Sequence, residues 1–182
     1  CPPVTLVVPV RGKEHDLARN LLSLANLNYP DYELIVVARS ADDPGFQIAQ
    51  AILGEKAHLV IGGESFLGTG EKVQNLLAAV EQVRPKSIVL AFADSDGQVT
   101  EDWLQNLVGP LIDENLGATT GFRWYFPEDG GFWSLLRSAW DSTIAGNIST
   151  KDQDFVWGGA IALRRSTFTD LKVSEYWKNT VS

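Results

Sequence analysis

Short apolar runs rich in β-branched residues alternate along this chain with segments of helical periodicity, and few folds accept that alternation. The runs are residues 4–10, Tyr32–Ala38, 57–61 and 87–93, and turn residues such as Gly12, Pro30 and Gly62 stand between them. Runs of that length read as buried strands. Between the first two, Leu17, Leu21, Leu22, Leu24 and Ala25 recur at helical spacing. Helices are expected over Pro44–Leu53 and over 71–83. Pro44 falls in a first helical turn, where its missing N–H costs little. Beyond the fourth run come a helix at 101–113 with Thr100 as its N-cap, a strand at 118–122 and a Trp-rich helix at 132–145. A strand at 160–163 and a short helix at 166–171 follow. Such alternation implies an α/β fold: a Rossmann-like, mostly parallel sheet flanked by helices, with right-handed crossovers. At 182 residues and 45% hydrophobic, the chain can core one domain and falls short of two. No linker or repeat interrupts it, so residues 1–182 read as a single domain.

Composition narrows the partners. A net charge of −8 argues against duplex nucleic acid, whose phosphates need a basic surface. It does not exclude a phosphate ligand, because a bound divalent cation reverses the local sign. The lone cysteine, Cys1, has no internal disulfide partner. The chain contains no Met and opens Cys1-Pro2-Pro3, so it reads as a piece of a longer protein. No apolar run reaches the roughly 18 residues a membrane span needs, and no signal peptide is recognisable.

The fourth run ends abruptly in Asp94-Ser95-Asp96. In an open α/β sheet, ligands sit beyond the carboxyl ends of the strands. Two acids one residue apart there can converge on a hard cation, which is commonly shared with substrate phosphates. The alternative is a solvated turn, where Asp and Ser are common. Asp42-Asp43-Pro44 follows the second run. An acid in that place can accept hydrogen bonds from a ribose or base, or it can cap the helix that Pro44 begins. After the first run, Pro9, Arg11, Gly12 and Glu14 offer close backbone approach and a cation for phosphate, or an ordinary strand-to-helix turn. Lys72 lies in a first helical turn, where the dipole disfavours cations. An anion nearby would explain it. Gly158-Gly159 could admit a sugar close to the backbone, whereas at least one of Arg164 and Arg165 is expected to be a strand-end surface charge. The aromatics Phe122, Trp124, Phe132, Trp133 and Trp140 read first as core, and if exposed they would suit an apolar or sugar-bearing acceptor.

These pieces stand in a fixed order along nearly the whole chain: Pro9…Arg11-Gly12…Glu14, Asn20-Leu21…Leu24, Tyr29-Pro30…Tyr32-Glu33, Asp42-Asp43-Pro44, Gly62-Gly63, Lys72-Val73-Gln74-Asn75-Leu76, Asp94-Ser95-Asp96 and Gly158-Gly159…Arg164-Arg165. The set resembles a family 2-type glycosyltransferase of the GT-A fold, most closely the ceramide glucosyltransferase-like branch. The resemblance implies an inverting enzyme that transfers a hexose, glucose foremost, from a UDP-sugar to an acceptor hydroxyl of a lipid or saccharide. It implies Mg²⁺ or Mn²⁺ at Asp94 and Asp96. It places Asp43 at the nucleoside and Lys72 near the donor, with Pro9, Arg11, Glu14, Gly158 and Gly159 completing the donor site. It further implies a parent protein anchored in a membrane by segments outside this sequence, with the domain facing the cytoplasm.

One departure matters. The general base of such enzymes is expected shortly after a Trp…Val-Ser segment, and here Trp177…Val181-Ser182 ends the sequence. A later Arg-Trp motif is also missing, and Arg123-Trp124 comes too early to replace it. The domain is therefore expected to be cut short at its C-terminal end and to transfer sugar poorly alone. Two other readings stay open: a non-catalytic nucleotide-sugar-binding domain, and a phosphatase in which Asp94 of Asp94-Ser95-Asp96-Gly97 is the nucleophile.

Overall fold

A computed structural model describes residues 1–64, 68–122, 130–147, 156, 159–178 and 180. Strands β1 (Val4–Pro9), β2 (Tyr32–Ala38), β3 (His58–Ile61), β4 (Val89–Ala93), β5 (Ala118–Thr120) and β6 (Ala160–Arg164) form one sheet in the order β3-β2-β1-β4-β6-β5. Strands β1 to β4 are parallel, as the alternation predicts. Strand β6 runs antiparallel to both β4 and β5, which periodicity could not show.

The helices are α1 (Leu17–Ala25), α2 (Pro44–Leu53), α3 (Glu71–Glu81), α4 (Trp103–Val108), α5 (Phe132–Asn147), α6 (Arg165–Asp170) and α7 (Val173–Trp177). Side chains alternate faces along a strand, so the continuous apolar runs bury both sides of the sheet. Leu6, Val8, Leu34, Val36 and Ala91 meet Leu21 of α1, Phe46 of α2 and Leu104 of α4 on one face. Val7, Ile35, Val37, Leu90 and Phe92 meet Leu76 of α3 and Phe168 of α6 on the other. Each fully buried Leu or Ile contributes about 1.5–3 kcal/mol. Trp177 of α7, a helix the sequence pattern did not reveal, closes this face edge-on against Phe92 and Phe168, 5.5 Å from each ring centre.

Three local expectations are corrected. The helix expected at 101–113 starts at Trp103 with Asp102 at the N-cap position, while the Thr100 hydroxyl donates to Asp102 instead of capping. It gives way to a 3-10 turn over Gly109–Ile112, where Pro110 has no N–H to continue an α-helical ladder. Phe132, Trp133 and Trp140 on α5 are not core: they are 70%, 78% and 73% exposed. Phe122 is described outside any strand, and Trp124 lies outside the described residues. No helix among the described residues is long and apolar enough to cross a membrane.

The chain moves from β1 to β2 and β3 on one side, then crosses to β4 on the other side of β1. The carboxyl ends of β1 and β4 therefore flank the switch in strand order, where open α/β sheets hold their ligands.

Candidate functional site

A cleft of about 470 Å³ opens at that switch. The end of β1 supplies Pro9, Arg11 and Glu14, the end of β4 supplies Asp94, Ser95 and Asp96, and the first turns of α3 supply Glu71, Lys72 and Asn75. Pro9, Arg11, Glu14, Lys72, Asp94 and Asp96 were all expected at the site, and the fold brings them into one cavity.

The anion that the position of Lys72 called for is Asp94: Lys72 Nζ lies 2.5 Å from Asp94 Oδ1. The backbone N–H of Asp94 donates to the carbonyl of Gly159 at 3.2 Å, so the turn before β6 abuts the same acid. Gly158 lies outside the described residues. Glu71 sits beside Lys72 in the first turn of α3, where the dipole favours an acid. It faces Arg11 at 3.5 Å and Arg39 at 3.7 Å. The hydrogen bond that Arg39 donates to the Glu64 carboxylate raises the pKa of Arg39 above its ordinary value, and the charges of Glu64 and Glu71 add to the effect.

Asp43 stands next to the cleft rather than in its lining. It caps α2, as the second of its two readings held: Oδ1 accepts from the Gly45 N–H at 2.7 Å and from the Gly12 N–H at 2.9 Å. Gly12 has φ +63, a left-handed conformation that glycine adopts without strain. The same carboxylate thus ties the loop after β1 to the start of α2.

Beneath the acids, the Ser95 hydroxyl donates to Glu14 Oε2 at 2.6 Å, and Asn20 Nδ2 donates to the Ser95 carbonyl at 3.0 Å. Asn20 and Ser95 are each 4% exposed. Individual roles for Asn20, Ser95, Glu71 and Asn75 were missed in the sequence. Asn75 was within reach of sequence reasoning, because i+3 spacing from Lys72 puts it on the same helix face.

Arg164 ends β6 and Arg165 begins α6, and both are held structurally. Arg164 donates to the carbonyls of Leu111, Asp113 and Leu116, and Arg165 to those of Arg84 and Pro85. Neither belongs to the cleft.

The residues present fit a divalent cation of one kind. Among the described residues no group of three His, Cys, Asp or Glu side chains could hold a metal alone. Two carboxylates at a polar cleft suit a hard ion that completes its shell with water and phosphate oxygens.

A twisted, mostly parallel sheet with acids at the switch point beside β1 is the architecture of the GT-A glycosyltransferases. The mannosyltransferase PcManGT of Pyrobaculum calidifontis, solved with GDP-Man and Mn²⁺, superposes over 93% of this chain and 46% of its own, with TM-score 0.64 and 22% identity. Glucosyl-3-phosphoglycerate synthase of Mycobacterium tuberculosis, solved with Mn²⁺, UDP and glucosyl-3-phosphoglycerate, covers 91% of this chain and 57% of its own, with TM-score 0.59 and 19% identity. At those identities the likeness establishes the fold. Residues 1–171 match glycosyl transferase family 21, and the chain belongs to that family. Ceramide glucosyltransferase 3 of Caenorhabditis elegans is 28% identical over 151 residues, which are 81% of this chain and 32% of that protein. The chain therefore spans about a third of the length of that curated relative.

Proposed function

We propose that this chain is the donor-binding part of an inverting, metal-dependent hexosyltransferase that moves a hexose, glucose foremost, from a UDP-sugar to a lipid hydroxyl. The observation that carries the reading is the meeting of Asp94, Asp96 and Lys72 in one cleft at the switch point. Asp94 and Asp96 would hold Mg²⁺ or Mn²⁺. Bound there, the ion supplies charge neutralisation for the departing diphosphate.

Lys72 would leave Asp94 to donate to the diphosphate, and Arg11 would add a second cation. The backbone around Pro9 would lie against the nucleotide. Asp43, whose two oxygens share the Gly12 N–H at 2.9 and 3.1 Å, would order the loop that meets the nucleoside. Gly158 and Gly159 would leave room for the sugar beside Asp94. The acceptor is read as a lipid from the name of the ceramide glucosyltransferase relative. The exposed aromatics of α5 suit such an apolar partner.

The base that deprotonates the acceptor is assigned to residues following Ser182. In support, the loop that begins α3 is bonded to the end of the chain: Gly70 N–H donates to the Thr180 carbonyl at 3.1 Å, and the Thr69 hydroxyl to that of Lys178 at 2.5 Å. The parent protein is proposed to be membrane-anchored through segments outside this sequence, with this domain on the cytoplasmic side. Alone, the domain is proposed to bind donor with little turnover.

Calorimetry with UDP and Mn²⁺ tests the reading. Asp94→Asn should weaken metal-dependent UDP binding at least about tenfold, a change of about 1.4 kcal/mol, while the thermal midpoint barely moves. A variant that melts early yet binds UDP normally would refute the site. Sugar-phosphate hydrolysis without sugar transfer would favour the phosphatase reading. Metal-dependent UDP binding in a longer chain that never turns over would favour a binding domain.

A further inference from the structure

We propose that Glu14 and Asn20 are positioning residues that hold the Asp94-Ser95-Asp96 turn in its metal-binding shape by gripping Ser95 from below. This deepens the proposed function and rests on it. The grip is double: Glu14 takes the Ser95 hydroxyl at 2.6 Å, and Asn20 takes the Ser95 carbonyl at 3.0 Å. A third strap follows four residues on, where the Val99 N–H donates to Ser23 Oγ at 3.2 Å. On the far side the Asp94 N–H is fixed to Gly159. Helix α1 and the segment leading into it therefore clamp the turn that carries both acids.

Asn20 is the telling residue. It lies on the buried face of α1 among Leu17, Leu21 and Leu24, where a polar amide is costly unless its hydrogen bonds are made. An apolar side chain would extend that stripe and pack better. What Asn20 provides is a donor for a carbonyl between two acids, and Ser95 is as buried as Asn20 itself. Glu14, expected to contact the donor directly, has one carboxylate oxygen engaged by Ser95. Its role is carried by an acceptor oxygen, not by negative charge. Residues that orient metal ligands in this way commonly contribute about ten- to a hundred-fold in metal affinity.

The test uses Asn20→Leu, Ser95→Ala, Glu14→Ala and Glu14→Gln, with two readouts. Hydrogen exchange of the amides at 94–99, measured without metal, reads the clamp. Mn²⁺ affinity in the presence of UDP, from the electron paramagnetic resonance of free Mn²⁺, reads its consequence. The thermal midpoint identifies any variant that fails to fold, and Ser95→Ala, which removes a single hydroxyl, keeps the comparison alive if Asn20→Leu does.

The expected result is faster exchange at 94–99 and roughly tenfold or greater loss of Mn²⁺ affinity in Asn20→Leu, Ser95→Ala and Glu14→Ala. Glu14→Gln, which keeps an acceptor oxygen, should stay within about threefold of wild type. Glu14→Gln as weak as Glu14→Ala would show that charge, not position, is what Glu14 contributes, and would overturn its part. Unchanged exchange, or unweakened binding in variants of a wild type that binds, would overturn the positioning role alone. A wild type that takes up no Mn²⁺ with UDP would overturn the proposed function and this role with it.

Discussion

A Cβ at Gly62 would lie 2.1 Å from Asn75 Oδ1 and 2.9 Å from Asn75 Cα, closer than real side chains approach. Only glycine lets α3 seat this tightly against the end of β3. The clash is with helix backbone as well as with a side chain that is 2% exposed, so little can give way. Gly62→Ala should therefore cost about 1–3 kcal/mol, as overpacked sites do, and be read in a urea titration. Asn75 and Lys72 share a helix, so UDP binding in the folded fraction should weaken with it. The Gly62-Gly63 pair was visible in the sequence as a break, but its reason was not. A glycine's tolerance is set by what stands opposite, and Asn75 stands there only once α3 has docked. Lys72 was more legible, because a cation in a first helical turn asks for an anion. Which anion it finds, Asp94, depends on two loops meeting.

Among the elements, α2 shows how one acid serves fold and site together. Asp43 satisfies an N–H at the start of α2 and also one in the loop after β1. Asp43→Ala removes both bonds and should lower stability by about 1–2 kcal/mol, the upper range for a lost cap. Asp43→Asn keeps an acceptor and should lose well under half of that in the same thermal or chemical melt. Equal losses would mean that the carboxylate charge, not the cap geometry, holds the two loops. Pro44 and the run to Leu53 made this helix plain in the sequence, and its bounds are those expected. The helix after β4 was less legible. Its apolar spacing continues through 101–113, but Pro110 interrupts the hydrogen-bond ladder and the last turn tightens into a 3-10 turn.

Across the whole molecule, the two ends of the sheet divide the work. The carboxyl end of the parallel strands carries the cleft, while the opposite end is fastened by Arg84. Its guanidinium donates to the carbonyls of Val4 and Asp31, to Ser87 Oγ, and pairs with Asp31 at 2.9 Å. Lys86 meets Asp31 at 3.1 Å, and its hydrogen bond is the largest influence holding the Asp31 carboxyl below its ordinary value of 3.8, with the charge on Arg84 acting in the same direction. A carboxyl depressed in the folded state contributes stability that is fully present above its unfolded value and fades as pH falls through the lower, folded one. The thermal midpoint should therefore be lower for Asp31→Asn than for wild type at pH 7. The two curves should converge as the pH drops below about 4. Curves that stay parallel down to pH 2 would remove Asp31 from the acid response. UDP binding at pH 7 should be unchanged, since Asp31 immediately precedes β2 and the cleft lies beyond the strand's other end.

The sequence alone determined the strands β1 to β4, the helices between them and the presence of acids at a strand end. Those are local properties: apolar period, turn chemistry and capping act over a few neighbouring residues, so they are written in the order of the residues themselves. Only the tertiary structure decided that β6 enters antiparallel, that Lys72 meets Asp94 across 22 residues, and that Glu14 holds Ser95 across 81. Such pairings come from closing long loops around a shared core, and a periodic pattern carries no information about which distant segment will complete it.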